Sequence, residues 1–273
     1  MKPAWSWQFE PGKLRPAPMV ALPDRITKEW AWGDSSGAGV KVAVVDSGIE
    51  AGHPAVKKVA GAVALEYDSD AEDRVRVIEG PHEDLFGHGT ACAGIIRGLA
   101  PKAELYSVRV LGERLSGKGV VFAAGLRWAL ENDMQVVNLS LSTGKRDYFD
   151  VFHEIADLAY FKRVMLVSAV NNVPGPTYPS EYSSVFSVAA HEGKDPFSLD
   201  YNPAPPVEFG APGIDIEVPW LGKSTVSATG NSFAAPHIAG LVARILGKHP
   251  GLTPFQMKTI LCALASNAGP KRS

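Results

Sequence analysis

Residues 41–50 read KVAVVDSGIE, a run of β-branched residues that stops at a carboxylate and turns through serine and glycine. An apolar run of this length predicts a strand buried on both faces, as in a parallel sheet. Asp46 then lies at the carboxyl end of the strand, the edge where ligands bind in open α/β sheets. The stretch therefore predicts an α/β fold with a functional carboxylate near its centre.

Apolar runs of the same kind alternate with helical patterns along the chain. The predicted strands are 40–45, 105–110, 136–141, 164–170 and 185–190, and the predicted helices are 117–131, 149–160, 232–246 and one that starts at Thr253. Ser116 is the expected cap of the first of these helices, and Thr253 with Gln256 forms a capping box. This alternation is typical of βαβ units. We expect three layers, with a mostly parallel central sheet flanked by helices on both faces.

Composition indicates one globular domain. The chain has 273 residues, of which 45% are hydrophobic, so it can bury a large core. We expect a single domain over 1–273, with an N-terminal arm and first helix in 1–35 and the core of the domain in 36–265. Four tryptophans near the N-terminus, Trp5, Trp7, Trp30 and Trp32, are expected to pack this arm on the body.

Charge and cysteine content restrict the partners. Lys and Arg number 27 against 29 Asp and Glu, and no block of like charge stands out. We therefore expect no nucleic acid and no membrane as partners, and small molecules or neutral peptides instead. Cys92 and Cys262 lie in apolar helical runs, where thiols behave as small hydrophobic groups, so no disulfide framework is expected.

The N-terminus, MKPAWSWQFEPGK, has no apolar core of signal-peptide length. We expect no signal peptide or prodomain, a cytoplasmic location and a monomer. A leader removed from the chain would instead make the protein a secreted one.

Three further segments can supply the chemistry of amide hydrolysis. His88 lies between two glycines in FGHGTACAGII (86–96), and Ser232 precedes a buried helix in TGNSFAAPHIAG (229–240). Asn171 ends a buried strand in RVMLVSAVNN (163–172). Alone, each has an ordinary structural explanation, such as a helix cap for Ser232. Together with Asp46 they supply a nucleophile, a base, a group that orients the base, and an oxyanion donor.

These segments resemble the ordered motifs of the subtilase family. The resemblance rests on VAVVDSGI, HGTACAG, NLSLS, the strand ending at Asn171, and GNSFAAPHIAG, and extends over about 40–264. The chain order Asp, His, Ser is that of subtilisin. The resemblance implies a subtilisin-like fold and a serine endopeptidase. In that enzyme Ser232 is the nucleophile, His88 the general base, Asp46 the orienting group and Asn171 the oxyanion donor.

The resemblance also implies a substrate groove. Residues 139–143 of this chain are similar to the family's edge strand, which pairs with the substrate backbone. The expected substrate-binding residues are Leu139, Ser140, Leu141, Ser142, Thr143, Ser168, Ala169, Val170 and Thr177.

The chain departs from the family pattern around this groove. Asn231 and Phe233 flank the serine in place of threonine and methionine, and side chains replace family glycines at Val170, Ser142, Thr143 and Thr177. Because these side chains fill space, we expect a narrow primary pocket that prefers a small residue before the scissile bond.

No cofactor is expected. The segment LAPKAEL (99–105) follows HGTACAGIIRG (88–98) directly, so the loop that binds calcium in many subtilisins is missing. No metal-ligand spacing of the Cys or His kind occurs. Glu83 and Asp84 are expected to solvate a loop.

Several functions remain open at this point. The leading interpretation is a selective endopeptidase that processes a peptide or protein, such as the leader of a modified peptide. The alternatives are general protein degradation, a transpeptidase or macrocyclase that uses the same acyl-enzyme, and an inactive binding scaffold.

Overall fold

The computed structural model describes residues 2–14, 19–204 and 206–269. The strands in that part of the chain are β1 (Lys41–Asp46), β2 (Gly61–Tyr67), β3 (Val75–Glu79), β4 (Glu104–Arg109), β5 (Val136–Leu139), β6 (Met165–Ala169), β7 (Phe186–His191), β8 (Asp200–Tyr201), β9 (Phe209–Pro212), β10 (Ile216–Trp220) and β11 (Ser224–Ala228). The α-helices are α1 (Lys28–Ala31), α2 (His88–Leu99), α3 (Gly119–Glu131), α4 (Phe149–Phe161), α5 (Asn231–Lys248) and α6 (Pro254–Leu264). Short 3-10 helices cover Ser6–Phe9 and Arg146–Tyr148.

One sheet forms the centre of the molecule, in the order β3-β2-β4-β1-β5-β6-β7-β9-β8. All neighbours from β2 to β9 pair in parallel, while β3 and β8 add antiparallel edges. Strands β10 and β11 form a separate antiparallel hairpin. The predicted α/β class with a mostly parallel central sheet is confirmed.

The strand order reverses beside β1. From β1 the chain builds β2 and β4 on one side and then crosses to β5 on the other, so Val45 pairs with both Val108 and Leu139. Such a reversal opens a crevice beyond the carboxyl ends of the strands. Asp46, the last residue of β1, lies at this crevice.

Alternation along the strands creates a core on each face of the sheet. Val42 and Val44 point into a cluster shared with α2, α5 and α6, whereas Ala43 and Val45 point into one shared with α3 and α4. Period-2 alternation of buried side chains on both faces explains why β1 is continuously apolar from Val42 to Val45. The helices therefore cover both faces, as predicted.

Helix ends partly match the sequence predictions. The capping box of α6 is present, with Thr253 Oγ1 accepting from Gln256 N and Gln256 Oε1 accepting from Thr253 N. The prediction of Ser116 as a cap was wrong: α3 begins at Gly119 after Lys118, whose side chain makes no capping bond.

The N-terminal tryptophans divide into two groups. Trp32 is buried, and Trp30 stacks on His249 with ring centroids 4.3 Å apart. Trp5 and Trp7 are 70% and 54% exposed, so the prediction that they pack on the body was wrong. The 3-10 helix that follows Trp5 and contains Trp7, Ser6–Phe9, has no buried residue. Among the described helices, none is long and apolar enough to cross a membrane.

Candidate active site

Asp46 and His88 form a buried pair at the centre of the crevice. The imidazole Nδ1 lies 2.9 Å from both carboxylate oxygens of Asp46. Asp46 is fully buried and His88 nearly so, and Asp46 Oδ1 also accepts from the Ser47 backbone N–H at 2.8 Å. Burial by itself lowers the pKa of the His88 imidazole, but the Asp46 carboxylate outweighs it and the pKa lies well above 6.5.

Close backbone contact brings α2 to the end of β1. A Cβ on Gly89 would overlap the carbonyl oxygen of Gly48, so only glycine lets the helix start this near the strand. Gly87, just before the helix, adopts φ 109°, a left-handed conformation that favours glycine. The two glycines around His88 thus place its ring against Asp46.

Asp84 holds the segment between β1 and α2. Its Oδ1 accepts from Ser47 Oγ at 2.8 Å and from the backbone N–H groups of Phe86 and Gly87. Its Oδ2 accepts from both the backbone N–H and the hydroxyl of Thr90. The expectation that Asp84 solvates a loop was wrong. This carboxylate is buried, and it accepts hydrogen bonds from the turn that carries His88.

Ser232 is the second residue of α5, where backbone N–H groups point away from the helix without intrahelical partners. Its side chain and the His88 ring line the same cavity, and the His88 ring packs 5.1 Å from the Phe233 ring. No hydrogen bond joins Ser232 Oγ to the imidazole among the described residues; such bonds are often long without substrate. Ser140 Oγ donates to the Ser232 carbonyl at 2.7 Å and fixes the helix start.

A buried thiol lies beneath the pair. Cys92 Sγ is 3.2 Å from Ser140 Oγ, and the ligand atoms of Asp46, His88 and Cys92 lie within 4.8 Å of one another. Burial raises the pKa of the Cys92 thiol, which disfavours the thiolate that metals bind. Because the other two groups are already paired, this trio is better explained as a catalytic pair over a packed thiol than as a metal site.

Asn171 lies beyond the last residue of β6 and lines the same cavity as Ser232. Its amide oxygen accepts from Ser142 Oγ at 2.5 Å, and its amide nitrogen donates to the Pro176 carbonyl at 2.9 Å. The structure thus brings all four predicted catalytic residues to one crevice.

The cavity has a volume of about 350 Å³. The predicted substrate-binding residues on its wall are Ser140, Leu141, Ser142, Thr143, Ala169 and Val170. Leu139, Ser168 and Thr177 are buried behind the wall and do not line it. An isolated β-bridge joins Thr143 of this wall to Tyr178, with Thr143 N donating to Tyr178 O at 2.9 Å.

Sequence reasoning missed another part of the wall. The segment 115–119, together with Phe122 and Tyr148, also lines the cavity. A Cβ on Gly119 would overlap the Tyr148 ring, which occupies the space that this glycine leaves. The glycines of SGKG (116–119), at the start of the predicted helix 117–131, were the available signal.

Comparisons with known proteins agree with this geometry. The model of the family described as the subtilase family matches residues 37–273. A thermostable alkaline protease of Halalkalibacterium halodurans is 32% identical over 244 residues, which cover 85% of this chain and 64% of that protein. Subtilisin DY of Bacillus licheniformis is 31% identical over 248 residues, 85% of this chain and 86% of that protein.

A solved structure has the same fold. The crystal structure of a cold-adapted subtilisin-like serine proteinase superimposes with a TM-score of 0.68 and 28% identity, covering 83% of this chain and 82% of that one. The matched family region contains the Asp46–His88 pair, Ser232 and Asn171. This chain is a member of the subtilase family of serine endopeptidases.

Proposed function

We propose that this protein hydrolyses peptide bonds through an acyl-enzyme on Ser232. The observation that carries the proposal is the buried Asp46–His88 pair, which opens onto the same cavity as a serine at a helix start. That cavity has a volume of about 350 Å³, and its wall includes the 140–143 segment.

Each residue has a defined role in the proposed reaction. His88 takes the proton of Ser232 as the serine attacks the carbonyl, and later gives it to the leaving amine. Asp46 holds the ring through Nδ1 and stabilises the imidazolium that forms. The Ser232 backbone N–H and the Asn171 amide donate to the oxyanion, aided by the dipole of α5. Water then attacks the acyl-enzyme and releases the second product.

We also propose that the enzyme is selective and prefers a small residue before the scissile bond. Side chains at Ser142, Thr143 and Val170 line the cavity and support a restricted primary pocket. A peptide or protein processed at few sites, such as the leader of a modified peptide, fits such a pocket better than bulk protein does. The unpaired thiols of Cys92 and Cys262 are compatible with action in the cytoplasm.

Labelling and cleavage together test the activity. We expect a fluorophosphonate probe to label the wild-type protein at Ser232, and a diverse peptide library to be cut. Ser232→Ala serves as the blank and should show neither. A wild-type protein that neither labels nor cleaves any peptide would identify an inactive scaffold.

The same library tests the pocket. Matched peptides with Ala, Leu or Phe before the scissile bond are compared by kcat/KM. We expect Ala to be preferred, because a larger residue must displace side chains of the wall. A preference for Phe would refute the restricted pocket while leaving the endopeptidase assignment intact.

A further inference from the structure

Asn171 is held at both ends of its side-chain amide. The Ser142 hydroxyl donates to Oδ1 at 2.5 Å, and Nδ2 donates to the Pro176 carbonyl at 2.9 Å. An amide nitrogen carries two hydrogens, so one N–H is used by Pro176 and the second has no partner among the described residues. The two bonds together fix which side of the side-chain amide carries the oxygen and which carries the nitrogen.

The backbone of Asn171 is held as firmly as its side chain. Its N–H donates to Thr177 Oγ1 at 3.0 Å, and its carbonyl accepts from Asn231 Nδ2 at 3.1 Å. Thr177 is buried, and its hydroxyl is also within 2.7 Å of the buried Ser180 hydroxyl. Thr177 therefore acts behind the cavity wall, as a support for Asn171.

Asn231 connects this support to the nucleophile. Its Oδ1 accepts from Ala190 N at 2.9 Å, and its Nδ2 also donates to the Val170 carbonyl. Its own backbone N–H donates to Asn172 Oδ1 at 2.9 Å. Because Asn231 directly precedes Ser232, these bonds set the position of the Ser232 N–H relative to Asn171.

We propose that Ser142, Thr177 and Asn231 form a cradle of hydrogen bonds that positions Asn171 as an oxyanion donor. These are three of the positions at which the sequence departs from the family pattern, and all three side chains bond to Asn171. The inference rests on the proposed oxyanion role of Asn171. In this role its three members are positioning residues that act through Asn171, and Ser142 additionally lines the cavity.

The physical reason for a cradle is preorganisation. A donor aimed at the developing negative charge stabilises the transition state only if it needs no reorganisation during the reaction. A free asparagine side chain samples several rotamers. Hydrogen bonds to its oxygen, its nitrogen and both neighbouring peptide groups restrict that choice.

A double-mutant cycle tests the cradle. Ser142→Ala and Thr177→Val are made in the wild-type protein and in Asn171→Ala, and kcat and KM are measured on a neutral peptide. We expect each single change to lower kcat about ten-fold, within the 10²–10³-fold loss typical of removing a whole donor. For Thr177→Val, which does not line the cavity, KM should change less than about two-fold, because the cradle acts in the transition state. In the Asn171→Ala background the two changes should have no further effect.

Inhibitor binding provides a second readout. A peptide aldehyde forms a tetrahedral adduct with an oxyanion, so its affinity should fall by the same factor as kcat/KM. Thr177→Ser keeps the hydroxyl and should restore both values. Thr259→Val removes a hydroxyl on α6 whose one hydrogen bond within the described part of the chain is to Phe255 O, and it serves as the matched control with unchanged kinetics. Rates are normalised to the fraction of sites labelled by fluorophosphonate, which corrects for any misfolded variant.

Different results separate the two proposals. If Asn171→Ala itself leaves kcat unchanged, the oxyanion role of Asn171 fails and the cradle with it. If Asn171→Ala slows the reaction but the cradle changes lower kcat equally in both backgrounds, the cradle alone is refuted. An effect confined to KM would refute it as well, because it would indicate direct substrate contacts.

Discussion

His88 decides the pH range in which the reaction can run. The imidazole must be neutral to accept the proton of Ser232, yet its pKa lies well above 6.5 because the Asp46 carboxylate, 2.9 Å from Nδ1, favours the charged form more than burial opposes it. A raised pKa keeps the base protonated up to a higher pH. Activity is therefore lost on the acidic side earlier than for an exposed histidine.

We expect kcat/KM for a neutral peptide to rise with pH along an acidic limb whose midpoint lies above 6.5. Asp46→Asn removes the charge that raises the pKa of His88, so its limb should shift to lower pH while the rate falls about 10⁴-fold. Profiles of kcat/KM from pH 5 to 10 measure both. A wild-type midpoint at or below 6.5 would contradict this reading of the pair.

At the scale of elements, the start of α2 depends on one carboxylate. Asp84 bonds to the turn after β1 through Ser47 and to the first turn of α2 through Gly87 and Thr90. Gly89 N in turn donates to Ser47 Oγ at 3.1 Å, so β1 and α2 share one hydrogen-bonded junction. Removing the carboxylate leaves several buried donors without an acceptor.

We expect Asp84→Ala to lower the free energy of unfolding by about 3 kcal/mol or more, since each buried donor left unpaired costs about 1–3 kcal/mol. It should also lower kcat, because the backbone on either side of His88 is no longer held by the Asp84 carboxylate. Glu83→Ala is the matched control: Glu83 is the exposed neighbour, and its removal should change stability by less than about 0.5 kcal/mol. Urea unfolding of both variants is the measurement, and equal stabilities would show that Asp84 is not the junction.

For the whole molecule, helix α5 links the active site to global stability. It is buried along most of its length between the sheet and α2, and His237 lies within it, with Nδ1 2.9 Å from the Phe233 carbonyl. Burial lowers the pKa of His237 to about 4. The folded protein therefore keeps this ring neutral under conditions where the unfolded chain protonates it.

We expect the free energy of unfolding to fall as pH drops from about 6.5 to about 4. In this window the unfolded state binds the proton and the folded state does not, so a shift of about 2.5 units corresponds to about 3 kcal/mol. Below about 4 both states are protonated and His237 adds no further loss. His88 does not contribute here, because its raised pKa acts above 6.5.

His237→Gln keeps a donor for the Phe233 carbonyl but cannot titrate. Its free energy of unfolding should depend less on pH than that of the wild type between 4 and 6.5, whatever its absolute stability. Denaturant unfolding at several pH values gives both curves. Parallel curves would show that another group carries the acid sensitivity.

The central strands and the helices beside them could be predicted because their residues carry the information locally. The runs that form β1, β4, β5, β6 and β7 are mostly apolar, and the structure places each strand within a residue or two of its prediction. The strands β3, β8 and β11 escaped prediction because they are largely exposed or half-buried and mix polar with apolar residues. Strands β2, β9 and β10 also escaped prediction. Edge strands show weak patterns for this physical reason.

By itself the sequence determined the sheet, the strand end that carries Asp46, the helix starts that carry His88 and Ser232, and the family. Only the tertiary structure decided what supports them: the burial of Asp84, the wall at 115–119, and the bonds from Ser142, Thr177 and Asn231 to Asn171. Asp84 meets Ser47 across 37 residues and Asn231 meets Asn171 across 60. Local patterns depend on neighbours within a few positions, whereas hydrogen bonds across such separations exist only once the crossovers between parallel strands bring the segments together.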